Sequence, residues 1–166
     1  MAGEDANEEA ASRSQGDGDG RRSGAGLGST SSQRFRGVEI IDARGNPVGE
    51  FDEISEGIFI EEKSAIGFGQ LYPRTGRPVQ TVAQWAEKQI FQKTVVRLDN
   101  LQRAAATRPA AGGSPYVPTL SEILGIRKFQ FKIVSTAPEV QNAVQAQLTR
   151  LHARFPAWEF SVIFGP

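Results

Sequence analysis

Residues 48–64, VGEFDEISEGIFIEEKS, decide how this chain folds. Val48, Phe51 and Ile54 mark one strand, and Ser55-Glu56-Gly57 supplies a turn. Ile58-Phe59-Ile60-Glu61-Glu62-Lys63 then has the β-branched and aromatic content of a second strand. Just upstream, Val38-Glu39-Ile40-Ile41-Asp42 reads as another strand, closed by Arg44-Gly45-Asn46-Pro47, so the simplest arrangement is an antiparallel three-strand meander. A period of two places Glu61 and Lys63 on one face with Phe59, and Ile58, Ile60 and Glu62 on the other.

Downstream, a Gly/Pro-punctuated loop (Gly67, Gly69, Pro73, Gly76, Pro78) precedes a helix predicted from about Thr81 to about Ala106. Thr94-Val95-Val96 is a candidate break in it, because β-branched side chains lose rotamer freedom in helices. Residues 107–118 read as loop. Phe129, Phe131 and Ile133 alternate with polar residues as a fourth strand. Pro138 opens a helix whose Val140, Val144, Leu148, Leu151 and Phe155 form one stripe. Trp158, Phe160, Val162 and Phe164 end the chain as a half-buried strand. The order βββ-α-β-α-β implies an α/β (α+β) domain with a mixed central sheet flanked by helices.

That domain occupies residues 37–166. Residues 1–36 are Gly, Ser, Ala and charged residues with Leu27 and Phe35 as their only large apolar side chains, so they are expected to be disordered linker or tail. Such a linker commonly joins a terminal module to a longer polypeptide.

The 166-residue chain has no cysteine, which excludes thiol nucleophiles, thiolate metal sites and disulfide scaffolds. Its single histidine, His152, excludes a histidine-pair ribonuclease site and multi-histidine zinc centres; a helix-end position favours a surface role for it. Trp85 and Trp158 lie in apolar patterns and are expected in the core. No apolar run approaches the roughly 20 residues needed to span a bilayer, and no signal segment follows Met1, so no membrane partner is expected. Nineteen Lys and Arg balance nineteen Asp and Glu, so any attraction to an anionic partner must be local.

The charges are indeed segregated. Residues 37–63 hold eight acids (Glu39, Asp42, Glu50, Asp52, Glu53, Glu56, Glu61, Glu62) against Arg44 and Lys63. Residues 64–108 hold Arg74, Arg77, Lys88, Lys93, Arg97, Arg103 and Arg108 against Glu87 and Asp99. Charged edge strands that resist aggregation and a solvated helix face give the same map. So does metal-dependent phosphodiester chemistry, which needs carboxylates for a divalent cation and cations for the phosphate backbone. The strand end favours attention to the second: Glu61 can ligate Mg²⁺, Lys63 can orient water, and Asp52 across the hairpin can supply another carboxylate. Register is the test. Asp52 shares Glu61's face only if paired residue numbers sum to an odd value, as in Ile54 with Phe59; a three-residue loop with a Gly bulge would bring Glu53 there instead. Glu50 is a candidate outer ligand or a solvated edge acid.

The run from Gly49 to Ile54 followed by Ile58 to Ala65 resembles the D…ExK core of the PD-(D/E)xK, restriction-endonuclease-like nucleases. It is most similar to those found as C-terminal toxin domains of bacterial polymorphic or contact-dependent toxins. The resemblance implies a restriction-endonuclease-like fold, Asp52 and Glu61 as ligands to Mg²⁺ (or Mn²⁺), and Lys63 as the water-positioning lysine. It also implies Gln84 and Lys88 as accessory residues on the following helix. Arg74, Arg77, Lys88, Lys93 and Arg97 are the candidate nucleic-acid contacts, with DNA favoured over RNA by the resemblance. A toxin of this type implies delivery into a target-cell cytoplasm and a cognate immunity protein. The chain departs from the family in lacking a leading helix before Val38 and in having Phe51 rather than proline before Asp52.

Two other readings stand beside this one. The same charges serve a non-catalytic binding module on a degenerate nuclease fold, or the chain is a metal-independent ribonuclease toxin that works without a second histidine.

Overall fold

The computed structural model describes residues 33–66, 68, 70–76 and 80–166. The meander forms as its turn chemistry dictates. Glu56 and Gly57 both adopt positive φ, 53° and 72°, the backbone of a tight two-residue hairpin whose twist matches its strands. This joins β2 (Pro47–Ser55) to β3 (Ile58–Ser64) in the odd-sum register: Ser55 faces Ile58, Ile54 faces Phe59 and Glu53 faces Ile60. Strand β1 (Arg34–Ile41) pairs antiparallel with β2 and starts ahead of Val38, inside the stretch whose composition reads as linker. Residues 1–32 lie outside the described residues. The β1–β2 turn is tied by Asp42, whose carboxylate accepts the amides of Arg44 and Asn46 at 2.8 and 2.9 Å.

Two further strands extend the sheet beyond β3. Strand β5 (Lys128–Val134) runs parallel to β3, and β6 (Glu159–Gly165) parallel to β5. On the far side, β4 (Ala106–Pro109) pairs antiparallel with β1 as an edge. The mixed six-strand order is β4-β1-β2-β3-β5-β6. With the helices it makes an α+β fold. Strand β4 corrects the reading of this stretch as the helix end and a loop: the helix stops at Leu101, and Ala105 donates to the Ile41 carbonyl at 2.8 Å as the chain turns back.

Helix α1 (Val82–Ala86) begins at a capping box, in which Thr81 Oγ1 accepts the Gln84 amide and Gln84 Oε1 accepts the Thr81 amide. A π-helical segment, Glu87–Gln92, follows, and α2 (Lys93–Leu101) completes the run. The irregularity therefore lies at residues 87–92 and not at Thr94-Val95-Val96, which sit inside α2. A short α3 (Leu120–Ile123) and the long α4 (Pro138–Arg154) are the remaining helices among the described residues. In α4, Val140, Val144, Leu148 and Leu151 are buried, as the stripe predicts.

One hydrophobic cluster joins these helices to the sheet. Its centre is aromatic: Phe51 stacks on Phe59 with ring centroids 4.1 Å apart, and Phe129 and Phe131 lie beside them. Both tryptophans are in this cluster, as expected, while His152 is exposed and meets Phe160 edge-on. The alternate residues of β3, β5 and β6 tell a different story: Glu62 and Ile163 are exposed and Lys132 and Ser161 half-exposed. Over these strands the helical cover lies on one face, where the element order predicts helices on both. No helix among the described residues is long and apolar enough to cross a membrane.

Candidate active site

The end of β3 carries a buried acid. Glu61 pairs with Phe131 of the parallel neighbour β5, among core aromatics, and is 1 % exposed. A carboxylate so placed is costly to bury unless cations or hydrogen-bond donors reach it. Two do. The Lys63 ammonium bonds Glu61 Oε1, and the Arg97 guanidinium spans both oxygens, with Nη2 2.9 Å from Oε1 and Nη1 2.8 Å from Oε2. The second of these contacts is poorly aligned, so Oε2 receives charge from Arg97 but no directed hydrogen bond.

Asp52 also comes within ion-pair reach of Lys63. The β2–β3 ladder ends at Glu53–Ile60, and beyond it the Asp52 carboxylate takes the place of a strand partner by accepting the Glu62 amide at 2.8 Å. Its Oδ2 lies 3.9 Å from Lys63 Nζ. Between the pairs Arg36–Glu53 and Val38–Phe51 lies Gly37, at φ 60°, and around this point β2 departs from simple alternation. Phe51 joins Phe59 in the core, while Asp52 opens onto a basin of about 210 Å³ lined also by Glu53, Ile60, Glu62 and Lys132. The odd-sum register is thus present, yet Asp52 reaches the site through the gap between two diverging strands and not across a flat shared face. Lys63 is the link between the two acids.

The remaining predicted residues divide. Glu53 is 8 % exposed and held by Arg34 at 2.7 Å, with Arg36 at 3.9 Å, so it does not replace Asp52 beside Lys63. Glu50 is exposed and sits opposite Glu39. Gln84 spends its side-chain oxygen on the helix cap. Arg74 is exposed on the turn that follows Tyr72. Arg77 lies outside the described residues.

Lys88, Lys93 and Arg97 come together for a reason that the sequence hides. Five residues apart on an α-helix, Lys88 and Lys93 would point about 140° from each other. The π-helical segment bonds the Lys93 amide to the Lys88 carbonyl, which stacks the two on one side. Arg97 follows four residues on, along the same face of α2. With Gln92, Val96, Val48 and Gly49 they line a groove of about 370 Å³, which shares Lys88 and Gln92 with a second of about 490 Å³. The crowding is electrostatic as well: burial, then repulsion from Lys63 and Arg97, holds the Lys93 amine below the usual lysine value, against the pull of Glu61.

Arg97 itself was expected only as a phosphate contact. Its stem crosses Gly49, where an added Cβ would lie 3.4 Å from Arg97 Cγ and 3.1 Å from Ile40 Cδ1. Its guanidinium lies 5.6 Å from the Phe51 ring centroid, and one turn later Asn100 fastens α2 to β2 by donating to the Val48 carbonyl at 2.6 Å.

A divalent cation next to Lys63 would find two carboxylates. Among the described residues no three Asp, Glu, His or Cys side chains form a ready ligand cluster. Mg²⁺ takes one or two carboxylates and fills its other positions with water and phosphate oxygens, so Asp52 and Glu61 suffice in number, and the undirected Oε2 lone pairs are suited to a cation. No protein-family model, curated protein or solved structure matches this chain.

Proposed function

We propose that the domain is a metal-dependent nuclease of the restriction-endonuclease-like type, hydrolysing phosphodiesters in DNA in preference to RNA. The observation that carries this reading is the position of Lys63: its ammonium bonds buried Glu61 and lies 3.9 Å from half-exposed Asp52, while Arg97, which shares Glu61 with it, lines a basic groove. In this reading Asp52 and Glu61 hold Mg²⁺ or Mn²⁺, which when bound polarises the phosphate and lowers the pKa of water. Lys63 orients the attacking water, and Lys88, Lys93 and Arg97 hold the backbone. The balance of charge supports it. Asp52, Glu61, Lys63 and Arg97 sum to zero, so a bound divalent ion makes the centre net positive toward phosphate.

A bacterial toxin effector delivered to a target cell, with an immunity protein covering the groove, is the biological setting that fits best. It rests on the sequence resemblance. The test of the chemistry is plasmid and RNA cleavage with Mg²⁺ or Mn²⁺ and with EDTA. Cleavage lost in EDTA and in Lys63→Ala supports the nuclease; EDTA-resistant RNA cleavage selects the metal-independent ribonuclease.

One observation favours a second reading. Glu61 is already matched by two cations, as in a purely structural buried ion cluster. On that reading the domain is a non-catalytic binding module, and nucleic acid or protein binding persists in a protein that cleaves neither DNA nor RNA with any divalent ion.

A further inference from the structure

We propose that Arg97 is a positioning residue that competes with the divalent cation for Glu61, and so sets the metal concentration at which the centre loads. The inference rests on the reading of Asp52 and Glu61 as a cation site.

Arg97 is built into its place. Its guanidinium is a planar fork matched to a carboxylate, contacts both Glu61 oxygens within 3 Å, and is 13 % exposed. Gly49 leaves room for its stem, Phe51 backs its charge, and Asn100 anchors the helix that carries it. A metal ion at Glu61 must therefore displace at least one guanidinium contact or share an oxygen with it. Lys63 does not present the same obstacle, because it contacts Oε1 and leaves Oε2 to Arg97. The surroundings also weaken the grip of Arg97: Lys93 repels it, Lys63 shares Glu61 Oε1 with it, and Glu61 is its one carboxylate partner among the described residues. A second cation can thus exchange with it without leaving Glu61 bare.

The experiment is Mn²⁺ binding to the full chain, followed by electron paramagnetic resonance of the free ion, for the wild type, Arg97→Met, Arg97→Lys and Asp52→Asn. Removing the competing charge in Arg97→Met is expected to tighten Mn²⁺ about tenfold, within the range of coupling between ligands that share a partner. Arg97→Lys, which keeps charge but loses the fork, should fall between. Because Arg97→Met removes a buried partner, Mg²⁺ titration of the wild type followed by the Arg97 guanidinium NMR signals gives an independent readout: they should shift over the range in which the ion binds. If Mn²⁺ binds the wild type in an Asp52-dependent way, but Arg97→Met binds no tighter and the guanidinium signals stay fixed, the competition is wrong and the cation site stands. If neither protein binds Mn²⁺, or Asp52→Asn binds as well as the wild type, the cation site fails and this inference with it.

Discussion

Asp52 and Glu61 both lie within ion-pair reach of the Lys63 ammonium but with opposite solvent access: the side chain of Asp52 is 43 % exposed and that of Glu61 1 %. Two carboxylates assigned to one centre therefore have different second roles. Asp52→Asn keeps an oxygen for the Glu62 amide and should change stability by less than about 1 kcal/mol, while lowering cleavage by about 100-fold or more. Glu61→Gln leaves Lys63 and Arg97 facing each other without the buried carboxylate that joins them, with Asp52 near Lys63 alone, and should cost about 3–5 kcal/mol. Urea unfolding beside the cleavage assay separates the two. Adding Arg97→Met to Glu61→Gln should restore part of the loss, which the double-mutant cycle measures.

The lysine column makes a prediction about salt. Lys88→Ala and Lys93→Ala should each reduce the slope of log K against log salt by about 1 in DNA-binding anisotropy. Lys128→Ala, on an exposed pair with Glu159, serves as the control. Deleting Gln89 should return the π-helical segment to α geometry with Lys88 four residues before Lys93, which keeps the two on one face and leaves the slope unchanged.

Stability should respond to pH through Lys93. Its folded pKa lies below the ordinary value of 10.5, so in the window just under 10.5 the unfolded chain binds the proton that the folded chain releases. Melting temperature should carry a rising contribution across that window, absent in Lys93→Met. Asp42 works in the opposite range. The Asn46 amide and side chain hold its acid below 3.8, so its stabilisation is present above 3.8 and is lost as pH falls through the depressed value. A melting-temperature series on Asp42→Ala should lack that acid limb.

A packing test lies away from the centre. An added Cβ on Gly113 would sit 2.7 Å from the Arg36 carbonyl oxygen and 2.8 Å from that of Gly37, both backbone. Gly113→Ala should cost about 1–3 kcal/mol. Gly125→Ala meets nothing within 4 Å and should stay within about 0.5 kcal/mol of the wild type in the same unfolding assay.

Much of this architecture is legible in the residues, and the exceptions have physical causes. The hairpin is readable from its Ser55-Glu56-Gly57 turn signal, but its register is not: a two-residue and a three-residue loop both suit that signal, and the positive φ of Glu56 and Gly57 selects the first. Strand β4 is not readable: four residues ending in Pro109, on an edge, carry neither alternation nor burial, and are strand only because β1 offers an open side. The π-helical segment escapes because a one-residue offset in a helix leaves composition unchanged. At the centre, Glu61 and Lys63 are found by their spacing of two. The partnership of Glu61 with Arg97, 36 residues away, is a product of packing α2 on β2, and no local pattern announces it.

The parallel pairing of β3 with β5 also bears on how the molecule assembles. The meander closes through short turns, but β3 receives Phe131 as its neighbour only after the chain has passed through α1, α2 and α3. Contacts so distant in sequence pay their loop-closure entropy late and form slowly. Until then Glu61 stands in water without its aromatic cover, on a hairpin already made. Refolding should therefore protect the amides of the first hairpin early, with Glu61 losing its contact with water only in the slowest phase, when the parallel strands are in place.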